Sequence, residues 1–337
     1  MDILLLVPIA LCLWGLRLRH SGEDALSGEA TLSLRGLLAI WVILIHLGQS
    51  NQVGSVFGLV SRTGHLAVAV FFFLSGYGLQ KQHMTRENYA KGFLRKRLLG
   101  VVLPYAVVTV LYWSYFLWLG RGYGLVDVLE QFAAGKPLVS YSWYILAVIT
   151  FYAAFYLLMR LCGKRYSVML LGGVVWFAVY TAVCVALKFS EVWYVSGFAA
   201  VVGMLWAVYQ SKIDAFLAKR WLVGLVASIA AVVTCTLLGQ ETGVVGMVFK
   251  VAASSVFPVV VVLLLQKIRL GNPLLRLLGG ISMELYLMQG LAMMVLRNRL
   301  IFVENGLAYG ALVLVVAVFF AMVVHIAFKG IPKNPTP

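Results

Sequence analysis

The chain has 337 residues, 62% of them hydrophobic and only 12% charged, with a mean hydropathy of +0.96. Soluble domains carry about 25% charge and fewer apolar residues, so this composition excludes a soluble enzyme. It predicts an all-α polytopic membrane helix bundle. The net charge of +15 does not imply a nucleic-acid partner, because the basic residues sit in short loops between apolar runs rather than in one block.

The N-terminus, MDILLLVPIALCLWGL, resembles a signal peptide only in apolarity. Asp2 stands where a basic region is needed, and no small-residue cleavage site follows Arg17 and Arg19. Residues 1–20 therefore predict a short N-terminal membrane segment, since a full crossing takes about 20 apolar residues. Ten longer apolar runs follow, near 32–48, 65–80, 98–119, 142–161, 167–187, 193–209, 221–238, 244–265, 279–297 and 306–328. These predict ten main spans within one domain, 30–329, before a tail at 330–337. One alternating set of loops holds 20 Lys and Arg; the other holds six, Arg62, Arg121, Lys136, Lys188, Arg297 and Arg299. The positive-inside rule places the first set, with 17–35, 81–97 and the C-terminus, in the cytoplasm. The four cysteines lie singly in apolar runs, without metal-ligand or disulfide spacing, and no metal is expected.

Within LSLRGLLAIWVILIHLGQSNQ, Arg35 and His46 are the ionisable residues. Eleven steps of a helix give roughly 16 Å and three turns plus about 20°, so both side chains share one helix face. Arg35 falls at the cytoplasmic end and His46 deep in the span. The polar run Gln49-Ser50-Asn51-Gln52 follows at once. Lipid cannot satisfy those amides, which predicts a polar vestibule on the outer side with His46 at its floor. Ionisable residues inside a membrane are expensive and mark function; a desolvated neutral imidazole is the form a general base requires.

Four further stretches extend the pattern: FFFLSGYGLQ, FLRKRLLGVVLPY, SWYILAVITFY and GGISMELYLMQG. With Arg-x10-His in the first main helix, they resemble, in order, the acyltransferase-3 family of integral membrane O-acyltransferases. The resemblance covers nearly all of residues 30–328. It implies transfer of an acyl group, most often acetyl, from cytoplasmic acyl-CoA to a glycan or other hydroxyl acceptor beyond the membrane. It also implies a bacterial cytoplasmic membrane, with acyl-CoA as donor substrate and no permanently bound cofactor. His46 falls on the family's catalytic histidine and Arg35 on its partner. Ser75, Gly76 and Tyr77 match the Ser-Gly-aromatic motif, Lys96, Arg97, Pro104 and Tyr105 the basic-then-Pro-aromatic motif, and Trp143 the tryptophan opening the next helix. Ser282, Glu284, Tyr286 and Leu287 match the late motif. Two positions depart: Gln289 stands where histidine is common, and Gly100 where a basic residue is common.

The residues' own chemistry fits donor binding at the basic loop 81–97. Coenzyme A carries several phosphates, which Arg95, Lys96 and Arg97 suit. Arg35, Ser75, Tyr77, Ser282 and Tyr286 join them as donor-side residues, while Gln49, Asn51, His65 and Trp143 form the acceptor side. Glu284 opens its helix at the depth of Arg35. A buried charge needs a partner, so an Arg35–Glu284 contact, direct or through one water, is expected alongside His46. Gly76 predicts close helix approach. His20, His83 and His325 read as interfacial, and Asp127 and Glu130 as solvated charges. A multispan transporter or flippase for a small solute or glycan matches the same composition, although no internal repeat of the transporter kind is visible.

Overall fold

A computed structural model describes residues 2–20, 22–50 and 55–329, and the chain is 76% helical. A 3-10 turn, Asp2–Leu5, leads into α1 (Leu6–Leu13) and the strand β1 (Leu16–Leu18). Then come α2 (Leu32–Ser50), α3 (Ser55–Ser61), α4 (Gly64–Thr85) and α5 (Phe93–Arg97). A π-helical turn, Leu98–Val102, joins α5 to α6 (Leu103–Trp118), followed by α7 (Leu125–Ala133), α8 (Trp143–Cys162) and α9 (Tyr166–Ala186). The second half holds α10 (Ala199–Ala218), α11 (Trp221–Leu238), α12 (Gly243–Leu265), β2 (Ile268–Leu270), α13 (Pro273–Gly280), α14 (Ser282–Leu296) and α15 (Gly306–Lys329).

Among the described residues seven helices are long and apolar enough to cross a membrane, and α13 with α14, meeting at 81°, makes an eighth if the bent pair is one span. The expected ten main spans are not reached on that measure. The difference lies in α4 and α10, with 22 and 20 residues. At 1.5 Å per residue they measure about 33 and 30 Å, enough for a crossing, but Gln80, Lys81, Gln210 and Asp214 lower their apolarity. These helices pack on each other through glycine. A Cβ on Gly76 would meet Ala200 O at 2.0 Å, and one on Gly203 would meet Phe73 O at 2.1 Å. Only small residues permit such approach. A helix sheathed by neighbours needs no continuous apolar surface, and α4 is buried along most of its length.

Other boundaries also shift. The run near 193–209 is helical only from Ala199, and continues past a break at Tyr209 to Ala218. The run near 279–297 starts in α13, which Asn272 caps by accepting from Leu274 N at 2.8 Å and Leu275 N at 3.2 Å. The N-terminal segment is a short apolar helix, Asp2–Leu13, lying along α2. Leu4 and Leu5 pack with Ile43, Leu44 and Leu47, and Asp2 Oδ1 accepts from Phe57 N at 3.1 Å. Its other end is tied by β1 pairing antiparallel with β2, Arg17 opposite Arg269, and by Asn272 Nδ2 donating to Leu11 O at 3.0 Å.

Two contacts position the candidate site. A Cβ on Gly36 would meet Leu275 O at 2.1 Å, and one on Gly279 would meet Leu32 O at 1.9 Å. This notch holds the start of α2 against the α13–α14 bend, so α2 and α14 leave it side by side in the same direction.

Candidate active site

His46 is 7% exposed, and its Nδ1 lies 3.1 Å from Gln289 Oε1 on α14. Gln289 Nε2 donates to Tyr286 O at 2.9 Å. That bond turns the amide oxygen toward the histidine, so Nδ1 carries the proton and donates. Nε2 is then the lone-pair nitrogen, since a neutral imidazole has one of each. It has no protein partner among the described residues and is not sealed off. In the sequence Gln289 stands out only as a departure from histidine; in the structure it is the residue that orients His46.

One face of the His46 ring is covered. Tyr141 stacks on it with centroids 3.8 Å apart and planes 9° apart, and Tyr286 approaches edge-on at 6.5 Å. Tyr141 has φ +64°, a conformation that costs a non-glycine residue about 1–2 kcal/mol. The surroundings impose it. Tyr286 OH donates to Tyr141 O, and Tyr105 OH and the buried Ser142 hydroxyl lie 3.3 Å apart. Gly290 leaves room for the same turn, since a Cβ there would meet Ser140 and Tyr112 OH at 2.7 Å. Tyr141 was not singled out from sequence; a tyrosine just before a tryptophan-led helix start was the available signal. His46 therefore lies beneath a tyrosine rather than on an open vestibule floor.

Arg35 and His46 do lie on one helix, and side chains from other helices bridge between them. Tyr144 on α8 packs its ring 5.4 Å from that of Tyr286 and lies close enough to Arg35 and Ser75 for both to act on its hydroxyl. Tyr144, also missed in the sequence, is the centre that joins Ser75, Arg35 and Tyr286. Arg35 donates to Gly28 O at 3.2 Å, while its Nε is enclosed with no acceptor among the described residues. Arg97 turns inward, its guanidinium 4.6 Å from the Tyr152 ring centroid on α8, and its Nε is likewise enclosed and unpaired.

The expected direct contact between Arg35 and Glu284 is not made. The Glu284 carboxylate is paired instead with His325 on α15, Oε1 to Nδ1 at 2.9 Å. The remaining residues divide. Tyr77 donates to Gln210 Oε1 at 2.8 Å, in company with Lys81, away from His46. Ser282 is half-buried, and Arg95 is exposed at the end of α5. Lys96 beside it is half-buried. Gln49 donates to Ser61 O at 3.3 Å, linking α2 to α3. Asn51 lies outside the described residues. Ser196 Oγ donates to His65 O at 2.8 Å, and the Lys250–Glu191 ion pair, 2.7 Å, lies close enough to act electrostatically on the His65 ring. Trp143 packs with Trp193 and Tyr194 rather than on His46. Asp127 caps α7 through Gly124 N at 2.7 Å. Among the described residues no group of His, Cys, Asp or Glu could hold a metal.

A family model described as an acyltransferase domain, acyltransferase-3, matches residues 33–326. The chain belongs to the acyltransferase-3 family. It is thus a membrane acyltransferase, and the transporter or flippase alternative gains no support. No curated protein and no solved structure matches it. The acyltransferase-3 match begins inside the first main helix, two residues before Arg35, and ends just after His325. It therefore encloses the His46–Gln289 pair, the tyrosine column and Arg97.

Proposed function

We propose that this acyltransferase moves an acyl group, acetyl in the first instance, from cytoplasmic acyl-CoA to a hydroxyl of an extracytoplasmic glycan. The observation that carries the reading is the state of His46: its proton is held on Nδ1 by Gln289, leaving the Nε2 lone pair unpartnered. A general base needs such a nitrogen. Nε2 takes the proton of the acceptor hydroxyl as its oxygen attacks the thioester carbonyl. The new O–acyl bond forms, the C–S bond breaks, and the imidazolium returns the proton to the departing thiolate. Gln289 Oε1 steadies the imidazolium through Nδ1–H.

The donor's phosphates suit the Arg35 end. Arg35 and Arg97 each keep an enclosed guanidinium nitrogen without an acceptor, and buried donors left unpaired are costly. An anionic ligand would satisfy both, with Arg95 and Lys96 in reserve at the rim. Ser75, Tyr144 and Tyr286 then line the way along which the pantetheine arm presents its thioester to His46, about 16 Å from Arg35 along the helix. Tyr77 and Ser282 frame the donor end, Glu284 shapes it from α14, and Gln49, Asn51, His65 and Trp143 belong to the acceptor side.

In this reading residues 30–329 cross a bacterial cytoplasmic membrane ten times, counting α4, α10 and the bent α13–α14 pair. Residues 1–20 lie beside them, and the tail 330–337 is cytoplasmic. The test is purified protein in liposomes, with labelled acetyl-CoA outside and oligosaccharide acceptor inside. Acylated sugar with the native chain but not with His46→Ala supports the reading. Labelled sugar undiminished in His46→Ala would sink it. Brief exposure to labelled donor without acceptor asks separately whether an acyl-imidazole forms at Nε2.

A further inference from the structure

At the His46 end of the bundle, the far ends of α6 and α14 enclose a cavity of about 280 Å³ lined by Arg121, Arg297 and Arg299 and by no Asp or Glu. A water's share of liquid volume is about 30 Å³, so the space holds a group far larger than one solvent molecule. Three guanidinium groups facing one cavity repel one another. They are also half of the six Lys and Arg in the sparsely charged loop set. Cations are scarce on that side of a membrane protein, so their convergence calls for an anionic occupant.

The cavity is built rather than incidental. After α6, Gly120 at φ +71° turns the chain so that Leu119 O faces Arg299, whose NH2 donates to it. After α14, Asn298 Oδ1 accepts from Leu300 N at 2.7 Å and Ile301 N at 2.9 Å, folding a tight turn that carries Arg297 and Arg299 on either side. Arg297 Nε donates to Val303 O at 3.0 Å, and its guanidinium lies 3.8 Å from the Tyr309 ring centroid. Arg121 rests 5.8 Å from the Phe116 centroid. Stacking on the Phe116 ring occupies only the face of the Arg121 guanidinium and leaves the edge of its fork for bidentate bonds.

We propose that this cavity is a binding site for a phosphoryl group. A single carboxylate would leave much of the positive charge uncompensated, whereas a phosphomonoester or diphosphate offers two charges and several oxygens that the Arg121 and Arg299 guanidinium groups can share. Arg297 lies eight residues beyond Gln289 along α14, about 12 Å past the His46 pair and on the side away from Arg35. The site is thus separate from the donor end. Resting on the acyl-transfer reading, one step follows: the acceptor carries its phosphoryl group a short way beyond the hydroxyl that His46 serves.

The test uses the full chain in nanodiscs and does not depend on acyl transfer. In phosphatidylcholine discs, inorganic pyrophosphate titrated at low salt is expected to occupy one saturable site. Its affinity should fall about tenfold, the equivalent of one strong contact, in Arg121→Gln with Arg299→Gln. It should persist in Lys136→Gln with Lys188→Gln, which removes equal charge elsewhere, and in Arg35→Gln, which separates it from donor binding. In discs containing phosphatidylglycerol, native mass spectrometry counts retained lipid. Retention displaced by pyrophosphate identifies a lipid headgroup as the source, and pyrophosphate binding without retained lipid identifies a free or glycan-borne phosphate. Absence of both overturns the proposal, as does an equal loss in the Lys136/Lys188 control. Because Arg121 is exposed and its side chain has only its ring contact among the described residues, Arg121→Gln alone replaces an unstable double variant, and unchanged binding there also overturns the proposal.

Discussion

The two ends of the α2–α14 pair are built on opposite principles. At one, His46 and Gln289 complete each other: one proton, one acceptor, an amide fixed by Tyr286 O and a ring clamped by Tyr141. At the other, the two charged residues ignore each other. Glu284 is satisfied by His325 from a third helix, while Arg35 keeps an enclosed nitrogen without an acceptor. A neutral pair tolerates burial because the bond between its members balances, and here only the Nε2 lone pair is left open. A buried cation with an enclosed donor lacking an acceptor is, in the proposed reading, where the anionic donor binds. The His46 end is fixed by its own hydrogen bonds, whereas the Arg35 end keeps a donor without an acceptor among the described residues.

Removing the ring should therefore have the largest effect. His46→Ala is expected to lower kcat by about 10²–10⁴, the usual contribution of a general base, with the melting temperature little changed. Gln289 tests the tautomer argument more sharply. Gln289→Leu leaves Nδ1–H without an acceptor and lets the ring turn, and an orienting partner of this kind is worth about 10–100-fold. Gln289→Glu keeps an oxygen facing Nδ1 and should recover much of kcat. Equal losses in both variants would show that α14 only packs there.

Arg35→Gln should act on a different quantity. A hydrogen bond to a charged group contributes about 1.5–3 kcal/mol, so KM for acyl-CoA should rise about 10–100-fold while kcat moves little. A fall in kcat with unchanged KM would mean that the two ends are one unit, and the contrast drawn between them would fail.

The Arg35–His46 relation could be read from the sequence because helical periodicity alone fixes it. The glycine notch at Gly76 was legible for a related reason: few residues other than glycine suit a tight helix crossing. What could not be read were pairings between helices remote in the chain. Gln289 is 243 residues from His46, and nothing local distinguishes an amide facing a histidine from one capping a turn. Glu284 was recognised as a charge needing a partner, but Arg35 and His325 both occupy its depth, and periodicity does not say which helix is the neighbour. Tyr141 was hidden because its role depends on a left-handed turn held by Tyr286 and on the Ser142 corner. The count of spans was limited differently. Apolarity measures contact with lipid, and α4, wrapped by other helices, has little of it.

The helix crossing itself offers a prediction on stability. Gly76→Ala places a methyl group on Ala200 O, which the helices can relieve only by separating. Overpacking of this sort costs about 1–3 kcal/mol, read as a lower melting temperature in detergent. Because Tyr77 and Ser75 flank the same turn, donor KM should rise as well, though by less than in Arg35→Gln. An unchanged melting temperature would mean that α4 and α10 are less tightly joined than the glycine notch implies.

The smallest effect is expected at the Glu284–His325 pair, and it bears most directly on the contrast between the two ends. His325→Leu strips a buried carboxylate of its partner, costing about 1–3 kcal/mol of stability, but should leave acyl-CoA binding nearly as it was. Glu284→Gln removes the charge and keeps a hydrogen-bonding group facing His325, so it should cost less. If Glu284 stands apart from the donor, neither change shifts KM. If Glu284→Gln instead tightens acyl-CoA binding, the carboxylate was weakening the field at Arg35 across an intervening water. In that case charge balance, rather than an unpaired cation, would set the affinity of that end.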